Sequence, residues 1–143
     1  MRQLVATDGS TLGDEAVRYA ARQTVAFDGT LVIVHVLTPD SELIDGTLIL
    51  PGEEAAVEEG ERVLNGARRV AEDVADEQGA EIDVETELLT GRPADAITEF
   101  ATETDADTIN VGHRGLSEER EQVVGSVAKS VVDKATIPVT VIR

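Results

Sequence analysis

Residues 2–37 read RQLVATDGSTLGDEAVRYAARQTVAFDGTLVIVHVL, and the fold is decided here. The first six residues, RQLVAT, form a short apolar strand pattern. TLGDEAVRYAARQTVAF then carries Ala16, Val17, Ala20, Ala21, Thr24 and Val25 at helical spacing, with Ser10 or Thr11 as N-cap. Gly29 is expected to end that helical unit. TLVIVHVL, residues 30–37, is β-branched and almost continuously apolar, as a strand covered on both faces of a parallel sheet should be.

The alternation continues downstream. Residues 39–52 read as one long irregular stretch. A second helix follows, with Val63, Ala67, Val70 and Val74 at four-three-four spacing, and it ends near Gly79. IDVETELL (82–89) alternates like a strand with one wetter face, and Thr90-Gly91-Arg92-Pro93 turns the chain into a third helix through Ala94, Ile97, Phe100 and Ala101. DTINV is the fourth strand, SVAKSVVDKA the fourth helix, and VTVI after Pro138 the fifth strand. Strict β-α alternation implies a single α/β domain over residues 1–143, a doubly wound parallel five-stranded sheet with helices on both faces, Rossmann-like.

Composition narrows the partners. The formal net charge is −17, which argues against nucleic acid and against an anionic membrane surface, since a polyanion needs a basic patch to bind it. No apolar run approaches the ~20 residues that cross a bilayer, and the start of the chain has no signal-peptide pattern. A soluble, cytoplasmic protein is expected. With no Cys, disulfides and thiolate chemistry are excluded. Ten of the twelve basic residues are Arg and aromatics are 2%. An acidic, Lys-poor surface resembles proteins of salt-loving archaea, in which high ionic strength screens self-repulsion; an ordinary acidic protein is the alternative.

An open α/β sheet binds ligands beyond the carboxyl ends of its strands, where the strand order reverses. Three loops therefore matter: TDGS (7–10) after the first strand, the segment after the second, and VGHRGLSEEREQVVGSV (111–127) after the fourth. In the last, Gly112 and Gly115 leave backbone N–H groups open to an anion. Gly125-Ser126 opens a helix whose unsatisfied N–H groups and dipole favour negative charge, with the Ser126 hydroxyl as N-cap or phosphate donor. The same glycines equally suit a turn and a helix cap. Asp8 either accepts hydrogen bonds from a ribose or helps hold a metal ion on phosphates, or else forms an Asx-turn or N-cap. His113 sits in the glycine loop in reach of phosphate, without a second His to make a metal site. His35 reads as a hydrogen-bonded core or strand-end histidine. The acidic runs of the second helix read as solvated surface. No catalytic constellation stands out and no base or Lys is poised for transition-state charge, so an enzyme, whether a slow nucleotide hydrolase or a phosphoryl- or adenylyl-transferring enzyme, ranks last.

VATDGS after the first strand, VIVHVL as the second and Gly112-x2-Gly115-x9-Gly125-Ser126 after the fourth together resemble the universal stress protein family, over essentially the full length including the terminal PVTVIR. The last spacing matches the nucleotide-binding signature of that family's ATP-binding branch. The resemblance implies a sheet in the order 3-2-1-4-5, a homodimer through the last strand, and an ATP or related adenine-nucleotide site, with Mg on the phosphates. Carried over by position, Asp8 contacts ribose or the phosphate-bound metal. Val36 meets adenine, and Ala6 and Thr7 line the base side. Gly112, Gly115, Gly125 and Ser126 hold ribose and phosphates, with Val127 next in line. Two features depart from the pattern. The segment between the second and third glycines contains Glu118, Glu119 and Glu121, offset only by Arg120, and these carboxylates face either the phosphates or solvent. Asn110 places an amide in a strand otherwise apolar.

Overall fold

β1 (Arg2–Ala6) has two neighbours of very different origin. It pairs in parallel with β2 (Thr30–Leu37), which follows α1 (Thr11–Phe27), and on its other side with β6 (Thr108–Gly112). β5 (Asp83–Thr90), reached through α2 (Glu54–Glu77), extends the sheet beyond β2. α3 (Pro93–Glu103) crosses back to β6, and α4 (Ser126–Lys134) leads to β7 (Val139–Ile142) at the far edge. The order β5-β2-β1-β6-β7, counted over these five strands alone, is 3-2-1-4-5. The computed structural model describes residues 1–38, 54–113 and 125–143, together with the backbone of β3 (Glu42–Ile44) and β4 (Thr47–Ile49).

That last pair corrects the reading of 39–52 as irregular throughout: β3 and β4 form a two-stranded antiparallel sheet of their own. Each strand is only three residues long, too short for its alternation to stand out from the surrounding Pro, Asp and Gly.

Helices cover both faces of the main sheet. On one, Leu4, Val32, Val34, Ile109 and Val111 pack with Ile97 and Ala101 of α3 and Ala128 and Val131 of α4. On the other, Val5, Leu31 and Ile33 meet Ala16, Val17, Ala20 and Ala21 of α1 and Leu64, Ala67, Ala71 and Val74 of α2. Each fully buried Val, Leu or Ile contributes ~1.5–3 kcal/mol relative to exposure. Alternation along β1 sends Leu4 to one layer and Val5 to the other. That division is why the central strands read as continuously apolar.

Local details sharpen three boundaries. In α2 the buried stripe runs through Gly60, Leu64, Ala67, Ala71 and Val74, while Val63 and Val70 lie half-buried at its margin. α1 ends on Asp28, whose φ of 52° gives the left-handed cap, a conformation that Asp tolerates better than most residues. Gly29, the residue expected to end the helix, does close it, with its N–H on Thr24 O at 3.0 Å, and it also permits a close approach: a Cβ there would lie 2.0 Å from the Met1 carbonyl oxygen, which accepts the Thr30 N–H at 3.0 Å.

Asn110 also finds its explanation. It is 1% exposed, and its Nδ2 donates to Leu4 O at 3.0 Å and to Gln3 Oε1 at 3.2 Å. Thr108 Oγ1 donates to the same Gln3 oxygen at 2.5 Å. The amide is a side-chain rung between β1 and β6, added to the backbone ladder.

Candidate functional site

At the carboxyl end of β1 the chain leaves the sheet under close control. Thr7 N donates to Val34 O at 3.0 Å, one position beyond the last β1–β2 pair. Ser10 N then donates to Asp8 Oδ1 at 3.0 Å and Gly9 N to Thr7 Oγ1 at 3.1 Å, with Gly9 at φ +83°. The Asx-turn read from the sequence is therefore formed. Ser10 Oγ accepts the Gly13 N–H at 3.0 Å, making Ser10 the N-cap of α1. Gly13 is indispensable to this arrangement, since a Cβ there would lie 2.5 Å from Thr7 Oγ1 and 3.2 Å from Asp8 Oδ1. The start of α1 thus sits directly against the end of β1. Thr7 and Ser10 are buried and Asp8 is partly exposed.

The neighbouring strand end is held equally firmly. Gly112 is the last residue of β6, opposite Ile142. His113 N donates to Ile142 O at 2.6 Å, and Gly125 N donates to His113 O at 2.7 Å. The chain that departs at His113 is back beside it at Gly125, so α4 begins at the carboxyl end of β6. Gly125 has extended dihedrals (φ −66°, ψ 157°) and is the N-cap; its carbonyl accepts the Lys129 N–H at 3.1 Å. The expectation that Ser126 caps the helix is corrected accordingly: Ser126 is the first helical residue, because the cap position is already occupied by the extended residue before it. Ser126 and Val127 are exposed, and the His113 side chain is buried at 6% exposure.

Apolar residues flank these strand ends. Ala6, Val36 and Leu89 pack at the margin of the core layer that contains Val111 and Ala128. The register Val5↔Asn110 puts the next residues of the two strands, Ala6 and Val111, side by side. Of the residues expected at the site, Ala6, Thr7 and Asp8 lie at the end of β1, Gly112 and His113 at the end of β6, and Gly125, Ser126 and Val127 at the start of α4. Val36 stands one strand farther, on β2. Gly115, Glu118, Glu119, Arg120 and Glu121 lie outside the described residues.

Further residues build this end of the sheet, most of them without a clear signal in the sequence. His35 Nδ1 donates to Thr7 O at 2.8 Å, as a strand-end histidine should. Gly13 and Gly60 provide close approach, and the only sequence signal for either is a glycine inside a helical pattern. Asp14, in the first turn of α1, is a second carboxyl near Asp8: burial pushes it above its usual value, Arg18 opposes this, and Glu15 and Asp8 add to it. Among the described residues, no group of three or more His, Asp or Glu could hold a metal by itself.

A cleft of about 290 Å³ opens at the opposite end of the sheet, lined by residues such as Thr98, Thr102, Lys134 and Ile137. It lies at the amino ends of β6 and β7, away from where open α/β sheets bind ligands.

The model of the universal stress protein family matches residues 1–143. A universal stress protein of Methanocaldococcus jannaschii is 30% identical, with 98% of this chain and 80% of that protein covered. One from Bacillus subtilis is 31% identical over 99% of this chain and 98% of its own length. Among solved structures, a universal stress protein in complex with cAMP is 26% identical with a TM-score of 0.74, covering 100% of this chain and 96% of the other. The universal stress protein from Archaeoglobus fulgidus in complex with dAMP is 28% identical with a TM-score of 0.73, covering 100% and 98%.

Proposed function

This chain belongs to the universal stress protein family, and from that premise we propose that it is a cytoplasmic adenine-nucleotide-binding module acting in stress response or regulation. The observation that carries the reading is the bond from Gly125 N to His113 O. It seats the N-terminus of α4 at the end of β6, beside the Asp8 turn, where the strand order reverses. Relatives solved with cAMP and dAMP support an adenine nucleotide as the ligand class, and the glycine spacing supports ATP within it.

In this reading adenine lies against Ala6, Thr7 and Val36. Ribose and phosphates are held by Asp8, Gly112, His113, Gly115, Gly125, Ser126 and Val127. Mg on the phosphates would be held through the Asp8 carboxylate, offsetting the charge of the acidic turn. Binding shifts loop or dimer populations, and fast turnover is not part of the proposal. Isothermal titration with ATP, AMP and cAMP, with and without Mg²⁺ in high-salt buffer, tests it, together with the mass of any nucleotide that co-purifies. Saturable binding of at least one nucleotide is expected. A folded protein that binds none and carries none would refute the reading.

A second reading, a nucleotide-free dimeric interaction module, draws on the two edges of the sheet. β5 exposes Asp83, Glu85 and Glu87, whereas β7 (VTVI) carries no charge, so of these two edges β7 is the better suited to strand pairing. A Gly115→Asp variant that keeps its partner binding would favour this reading.

A further inference from the structure

The backbone ladder between β1 and β2 ends at Ala6↔Val34, with Thr7 N→Val34 O beyond it. The next acceptor along β1, the Thr7 carbonyl, is taken by a side chain: His35 Nδ1 lies 2.8 Å from Thr7 O. A carbonyl only accepts, so Nδ1 carries the proton. His35 lies on the α2 side of the sheet, where a Cβ on Gly60 would come within 3.4 Å of its Cδ2. Val34 and Val36, on either side of it in sequence, pack with the opposite layer. His35 therefore draws the Thr7 carbonyl toward α2. The peptide is planar and trans, so the Asp8 N–H is turned the other way, toward the layer formed by Ala6, Val36 and α4.

We propose that His35 is a positioning residue for the nucleotide crevice: by holding the Thr7 carbonyl it sets the Thr7–Asp8 peptide, and with it the turn that presents Asp8 to the ligand. The inference rests on the nucleotide-binding reading above and deepens it. His35 itself touches no ligand. Gly60 of α2 packs over the same place: a Cβ there would lie 2.6 Å from Leu88 Cδ1 and in ordinary contact, at 3.4 Å, with the imidazole.

Side-chain geometry supplies the test. Asn places its Nδ2 where His places Nδ1, one bond beyond Cγ, whereas Gln places its donor one carbon farther out and Leu has none. Nucleotide affinity is measured by titration calorimetry for the wild type, His35→Asn, His35→Gln and His35→Leu, and the urea midpoint of each is measured in parallel. His35→Asn is expected to bind within about threefold of wild type, and His35→Gln and His35→Leu to bind roughly tenfold more weakly. Stability should follow a different order, with Asn the least stable of the three because it is the poorest strand former. Affinity that follows the urea midpoints, or that is the same in all three variants, overturns the proposal. A wild type that binds no nucleotide refutes the parent reading and this one with it. A wild type that binds with indifference to His35 refutes this one alone.

Discussion

Among the apolar side chains of β6, Asn110 donates to a strand that precedes it by more than 100 residues, with its bond to Leu4 O spanning 106 positions. Removing a buried donor's partner costs more than the bond itself contributes, because the group left behind is also desolvated. Asn110→Ala is expected to lose about 1–3 kcal/mol in urea unfolding at fixed salt. Adding Gln3→Leu to Asn110→Val should recover part of that loss, so that the double variant is more stable than the sum of the single changes. Strict additivity would show that the two amides do not act as a unit. Asp14 makes the electrostatic case. Burial raises its carboxyl above 3.8 in the folded chain, so the folded state holds the proton more readily than the unfolded one. Stability relative to Asp14→Asn should then be highest at low pH. It should fall as pH rises from 3.8 through the folded value, and level off above it. Denaturant curves of both proteins across that range check this; a difference flat with pH would remove the argument from burial.

For whole elements, α2 and β7 can be probed most directly. Gly66 lies exposed in the interior of α2, and a Cβ there would meet nothing within 4 Å. Gly66→Ala should stabilise the protein by about 0.5–1 kcal/mol, read as a higher urea midpoint with unchanged slope. At the uncharged edge, Thr140→Lys should turn the proposed β7-paired dimer into a monomer in sedimentation velocity without abolishing the fold, because a lysine blunts edge pairing. All five strands of the main sheet were legible in the sequence to within about one residue at each end, since their hydrophobic runs are long and bounded by turn residues. The β3–β4 pair was not, for want of length. In α2 the Val63 and Val70 pattern found the helix but rotated its buried face by one residue, because small Gly60, Ala67 and Ala71 carry the closest packing and weigh little in a hydrophobic pattern. The site was legible in part. The candidate residues Asp8, Gly112 and Gly125 could be placed at strand and helix ends from the sequence, whereas the Gly125–His113 bond and the His35–Thr7 bond depend on which strand ends lie together.

For the molecule as a whole, charge is the main lever. A net charge of −17 on 143 residues repels itself across the surface, and salt shortens the reach of that repulsion from ~10 Å at 0.1 M to ~3 Å at 1 M. The melting temperature by scanning calorimetry should therefore rise by several degrees between about 0.1 and about 1 M KCl. A fall over that range would mean that ion pairs such as the four among the described residues, Arg2–Glu85, Arg18–Glu15, Arg62–Glu59 and Lys134–Asp95, outweigh the net repulsion.

The placement of β1 between β2 and β6 has a further consequence, for the order of assembly. During synthesis β1, α1, β2, α2 and β5 emerge first and can associate through neighbours in sequence. The second edge of β1 then waits for β6, with Gln3 and Thr108 separated by 105 positions. Contacts so remote close late and slowly. Both walls of the crevice, the Asp8 turn and the start of α4, come from opposite sides of that final closure. The proposed ligand capture is then a property of the finished chain alone, and a nucleotide added during refolding should leave early phases unchanged while drawing the last step toward completion.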